Sequence, residues 1–300
     1  MKKFFVLLLP VFAVIGCSDR PTLENPTDEF LPGQRLAELT GKKLDEISGI
    51  AASINNPGMM WAHNDSQNGT EVFLLDDKLN IGMTCELMGI ENRDWEDIAV
   101  GPGPVDGKNY VYVGEIGDNS AKYQFKRIYR FEEPKMQQPG EKVALTEFES
   151  IIFKLPSKKD TETLMIDPLT RNLYIVSKRE EPVFVYEIVY PYSTSDTLLA
   201  REVLSLPLTQ IVGGDISPDG KKVLLKNYEY VYYWDNPSGK SFPDVLRDKP
   251  LDVPYEEEPQ GESITWARDG SGFYTLSEQS KTEKAYLFFY GRNTTHRPSK

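Results

Sequence analysis

The chain has 300 residues, with 39% apolar and 11% aromatic side chains, enough for a sizeable core and against global disorder. Its formal net charge of −12 argues against nucleic acid, which draws basic surfaces. Two Cys and two His exclude a disulfide scaffold and make a Cys/His zinc centre a poor reading.

Lys2-Lys3, the apolar run Phe4 to Ile15 and the small residue Gly16 read as a secretory signal, too short to span a membrane comfortably. Gly16-Cys17 resembles a bacterial lipobox, which implies cleavage after residue 16, lipid on Cys17 and a membrane-anchored protein outside the cytoplasm. Residues 17–33 are polar and Pro-bearing and read as a flexible tether. The propeller domain is expected over residues 34–293, with a polar tail over 294–300. Cys85 sits among apolar neighbours and reads as a packed strand residue.

From residue 47 onward the grammar is β throughout, and one unit recurs. It is clearest between Asp94 and Asn119, where two β-type runs flank the Gly/Pro-rich turn 101–107. A carboxylate opens the first run, and Asp118-Asn119 closes the second. Similar units start near Ser48, Glu162, Asp215 and Glu262, at spacings of 47 to 66 residues. A period near 50 residues predicts a β-propeller with four strands per blade. The longest spacing is absorbed by the polar connection from Glu132 to Glu147. The last unit lacks a fourth strand, and residues 35–40 form a strand without a sheet. Pairing the two closes the ring and removes exposed edges, which favours five blades over six. No stretch reads as a sustained amphipathic helix.

In a propeller the first strands line the channel, and the second strands return to the face on which the first begin. Ser48, Glu96, Glu162, Asp215 and Glu262 are therefore expected as an inner ring at one mouth. Asp65, Asp118, Asn119, Lys178, Arg179, Lys226 and Glu278 are expected around it. Four crowded carboxylates repel unless neutralised, and a hard divalent cation such as Ca²⁺ suits oxygen ligands in irregular geometry. Capping of backbone N–H groups, or pairing with the basic residues, would relieve the repulsion equally well. Basic groups beside a cation would also suit an anionic substrate. His63 and Asp65 are the candidates for proton transfer.

The runs Trp95-Glu96-Asp97-Ile98-Ala99, Gly114 to Asn119, Gly214 to Gly220 and Pro259 to Ile264 resemble secreted bacterial propellers related to the "esterase-like activity of phytase" group. That resemblance implies a propeller over residues 45–290. The chain is more faintly similar to calcium-activated nucleotidases (apyrases), five-bladed propellers with one oxygen ligand per blade around a central Ca²⁺. Ser48, Glu96, Glu162 and Glu262 match that ring in type, while Asp215 stands where the family tends to carry Ser. Two functions stay open at this level. One is a Ca²⁺-dependent hydrolase of phosphate esters or similar anions. The other is a lipid-anchored, monomeric propeller that binds an envelope protein or glycan without catalysis.

Overall fold

A computed structural model describes residues 25–66, 68–279 and 282–294. The signal segment, Cys17 and the first part of the expected tether lie outside these residues, as does nearly all of the tail.

The described chain is a five-bladed β-propeller. Strand β1 (Gln34–Glu38) precedes blade 1, which holds β2 (Ile47–Ala52), β3 (Met60–Asn64), β4 (Glu71–Leu75) and β5 (Ile81–Leu87). Blade 2 starts with β6 (Trp95–Pro102), β7 (Asn109–Glu115) and β8 (Lys126–Glu132). The chain then steps back: β9 (Glu141–Leu145) adds to β5 in parallel before β10 (Glu149–Lys154) completes blade 2. The connection expected from its polarity alone thus carries a strand, whose Val143 and Leu145 pack on the core between blades 1 and 2.

Blade 3 is β11 (Thr161–Ile166), β12 (Leu173–Ser177), β13 (Val183–Ile188) and β15 (Arg201–Leu206), with the short β14 (Leu198–Leu199) lent to β10 of blade 2. Blade 4 is β16 (Gly213–Ile216), β17 (Lys222–Lys226), β18 (Val231–Asp235) and β19 (Leu251–Val253), with the single turn of helix α1 (Phe242–Val245) before β19. Blade 5 is β20 (Ser263–Trp266), β21 (Gly272–Leu276) and β22 (Tyr286–Gly291). Its fourth strand is β1, antiparallel to β22 from Gln34↔Phe289 to Glu38↔Tyr286. The predicted closure is present, and five blades suffice. Among the described residues no helix is long and apolar enough to cross a membrane.

First strands of neighbouring blades pack side by side around the channel, in the order β2, β6, β11, β16, β20 and back to β2. Each space between blades is filled by buried apolar side chains. Trp61, Trp95 and Trp266 are at most 1% exposed, and burying such rings adds to the driving force for closing the ring.

Residues 25–33 differ from the expected tether. Phe30 is 3% exposed and meets Tyr233 and Phe273 edge to face at 5.2 and 5.1 Å. Pro26 bridges Asp252, Phe30 bridges Arg292, and the Asn25 N–H donates to Asp252 Oδ2 at 2.8 Å. The low local apolar content hid a single aromatic anchor that reaches the seam between blades 4 and 5.

Candidate metal centre at the channel mouth

Strand starts on one face of the propeller bring acidic side chains together from three neighbouring blades. Blades 1, 2 and 3 each break strand register at the same point, at Ser48, Glu96 and Glu162. A bulge turns the extra residue's side chain away from regular alternation. In blades 2 and 3 it carries a glutamate that joins an aspartate two residues earlier. Carboxylate oxygens of Asp65, Asp94 and Glu96 lie within 4.8 Å of one another, as do those of Glu96, Asp160 and Glu162. Glu96 is common to both groups. Gly117 makes room for them, because a Cβ there would fall 2.0 Å from Glu96 Oε1 and 2.6 Å from Asp94 Cγ.

The two groups differ in how they are satisfied. Asp160 accepts the Asp118 N–H at 2.8 Å and Arg179 Nε at 2.6 Å. Glu162 accepts Lys178 Nζ at 2.7 Å, and the same ammonium stands 3.6 Å from Glu262. Glu262 also accepts the Tyr228 hydroxyl at 2.6 Å. By contrast, no described group donates a hydrogen bond to the carboxyl of Asp94 or of Glu96, although Glu96 is only 5% exposed. Among the described residues, Asp65 receives only its neighbour, the Ser66 N–H.

The electrostatics follow. Burial, then the charges of Glu162, Asp65, Asp94 and Glu262, push the Glu96 carboxyl well above the carboxylate range. Burial also raises Asp94, with Asp160 adding and Lys126 opposing. Asp65 is pushed up to about 6, chiefly by burial, with the Ser66 N–H opposing and Glu262, Asp94 and Glu46 adding. Glu278 is raised to about 7 by burial and by Glu262 and Asp65. Lys178 moves the other way from a buried lysine: Glu162 and Glu262 hold it charged against the cost of burial.

Several expected site residues are placed elsewhere. Asp215 does not reach the mouth. It lies three residues beyond the ring position, which Val212 fills, and alternation along the strand turns it away from the mouth. There its Oδ2 accepts Thr265 Oγ1 at 2.9 Å and the Trp266 N–H at 2.8 Å, tying blade 4 to blade 5. Asp97 does the same between blades 2 and 3, accepting the Leu164 N–H at 2.8 Å. Ser48 is in the ring, but its hydroxyl donates to the Glu96 carbonyl at 2.8 Å as an inter-blade tie.

His63 is fully buried and edge-on to Trp95 at 5.8 Å, and desolvation lowers it to about 4. It is a core residue and not a base at the mouth. Lys226 is likewise fully buried: its ammonium donates to the Asn227 and Gly261 carbonyls and lies 4.7 Å above the Tyr255 ring. Asp118 accepts the N–H groups of Lys122 and Tyr123, both at 2.8 Å, and so shapes its own loop. Asn119 accepts from Arg179, and Glu278 from Gln260. Glu96, Glu162, Glu262, Asp65, Lys178 and Arg179 thus gather at the mouth as expected, whereas Asp215, Lys226 and His63 do not.

Asp94 and Asp160 were not among the residues expected at the mouth. The signal was present in the repeated pair Asp94-Trp95-Glu96 and Asp160-Thr161-Glu162, an acid two residues before each ring glutamate.

Comparison with known proteins adds little. No protein-family model matches the chain. Nor does any curated protein. A solved structure titled "Crystal structure of Nidogen/Laminin Complex" superposes with a TM-score of 0.45 at 14% identity, covering 77% of this chain and 72% of that one.

Proposed function

We propose that the mouth formed by Asp65, Asp94 and Glu96 binds a hard divalent cation of the Ca²⁺ type. The observation that supports this reading is Glu96, a buried carboxyl without a hydrogen-bond donor, facing two other carboxyls. Leaving such a group unpaired costs several kcal/mol on an order-of-magnitude scale, and a cation removes that cost. All-oxygen, irregular ligands suit Ca²⁺ better than the strict octahedron of Mg²⁺. Asp160 and Glu162, already neutralised by Arg179 and Lys178, would form a second rank behind Glu96.

We further read the chain as a lipoprotein anchored through Cys17 outside the cytoplasm, with phosphate-ester hydrolysis as the activity this mouth would support. The cation would supply charge neutralisation for an anionic substrate. Asp65, half-buried at the rim of the acidic group, is the residue placed to accept a proton from a water at the mouth. A non-catalytic propeller that binds an envelope protein or glycan is the second reading. It is favoured by one observation: the imidazole of His63 is sealed in the core.

The test is a thermal melt of the purified full-length chain in Ca²⁺ and in chelator, with metal analysis of the same material. Wild type should melt higher in Ca²⁺, by an amount corresponding to about 2.7 kcal/mol at a hundredfold excess over Kd. Glu96→Gln should lose most of that protection. Equal melts in Ca²⁺ and chelator, or full protection of Glu96→Gln, would overturn the assignment. Turnover of nucleotides or sugar phosphates with Ca²⁺ would select hydrolysis, and silence across such a panel from Ca²⁺-loaded protein would select the binder. Release of Cys17→Ser from the membrane fraction checks the anchor.

A further inference from the structure

The basic residues expected to receive an anion are spent inside the protein: Lys178 on Glu162 and Glu262, Arg179 on Asp160, Lys226 on backbone carbonyls. A different group of lysines is placed to do so. Strand β8 begins at Lys126 and the antiparallel β10 ends at Lys154, with Phe153 opposite Lys126 in the register. Both ends lie on the face of the acidic mouth, because β6 starts and β7 ends there. Between them and the segment after β10 opens a cleft of about 460 Å³. Lys126, Lys154 and Lys158 line it, with Tyr123, Leu155 and Leu199 among its walls, and no Asp or Glu takes part.

We propose that this cleft binds a phosphate monoester dianion carried on an apolar or aromatic body. The cleft concentrates three ammonium groups in a chain whose acids outnumber its bases by 46 to 34. Overall charge does not decide the matter, since at physiological ionic strength charges beyond about 8 Å are largely screened. Lys126 is the fixed element. It is 2% exposed, and its only described hydrogen-bond partner is the Ile116 carbonyl, so two of its three N–H donors remain to be used. Burial lowers it to about 8 against the pull of Asp118 and Asp160, and a dianion in the cleft would oppose that desolvation. Lys154 forms no described ion pair, and Lys158 donates only to the Lys122 carbonyl at 2.8 Å. Two exposed ammoniums beside one buried ammonium match a doubly charged head group better than a singly charged one. The walls of Leu155, Leu199 (61% exposed) and the Tyr123 ring offer apolar surface to the group that carries the phosphate.

The assignment rests on the cleft and not on the cation at the mouth, and the experiment keeps the two apart. Phenyl phosphate, phenyl sulfate and benzoate are titrated calorimetrically into the full-length chain, in chelator and in Ca²⁺. Phenyl phosphate should bind in chelator, at least tenfold tighter than either monoanion. Lys154→Met/Lys158→Met, two exposed positions outside the core, should raise its Kd at least tenfold with an unchanged melt. Lys221→Met/Lys222→Met, a basic pair on blade 4, should leave the Kd unchanged. Absence of binding in chelator, equal affinity for phenyl sulfate, or equal loss in the two double variants would each overturn the proposal.

Discussion

Two sets of buried carboxylates on the same inner strands meet opposite fates. Asp97 and Asp215 point between blades, and each accepts a backbone N–H from the next blade, that of Leu164 and that of Trp266. Asp94 and Glu96, one to three residues from Asp97, point to the mouth and receive none. Both sets are raised by burial. Burial alone therefore does not distinguish a structural acid from a candidate ligand. The supply of donors does, and strand alternation decides which acid gets them.

That contrast can be broken at either end. The largest effect is expected from Asp97→Ala. It strips the Leu164 N–H of its acceptor in a buried seam, and should cost about 3 kcal/mol in urea unfolding. A loss below about 1 kcal/mol would mean that Asp97 does not tie blades 2 and 3. An acid at the mouth should respond in the opposite sense. In chelator, Asp94→Asn should gain stability relative to wild type as pH rises from 5 to 8.

The sign follows from linkage. Carboxyls raised in the folded state, as Asp94, Glu96, Asp65 and Glu278 are, contribute stability below their unfolded values and lose it as pH climbs through the folded ones. His63, lowered to about 4, works the other way between about 4 and 6.5, so the difference between variant and wild type is the clean readout. A difference in melting temperature that stays flat with pH would remove the repulsion argument. The smallest effect belongs to Arg179→Met. Its side chain is 44% exposed, and its pairing with Asp160 should be worth at most about 1 kcal/mol. In Ca²⁺ titrations it should change affinity little, because Asp160 stands behind Glu96 and not in the triad. A tenfold change would promote the second carboxylate group to the primary site.

Strand alternation, the repeat near 50 residues and the orphan strand next to an incomplete last blade were enough to read the fold, because each is a local pattern with a fixed geometric meaning. The ring at the mouth was half legible for the same reason. Glu96, Glu162 and Glu262 share a position in the repeat, and position in the repeat is position around the axis. Tertiary structure decided the rest. Bulges at Ser48, Glu96 and Glu162 are events of strand pairing, and they bring Glu96 and Glu162 beside Asp94 and Asp160 in a way no single strand reveals. Asp215 looked equivalent to the ring glutamates until the register put Val212 in their place. His63 and Lys226 carry the residue types of a site, yet neighbouring blades bury them, and burial across a seam is written in no one segment. Phe30 anchors a stretch whose own composition is that of a linker, because its partners Tyr233 and Phe273 lie more than two hundred residues away.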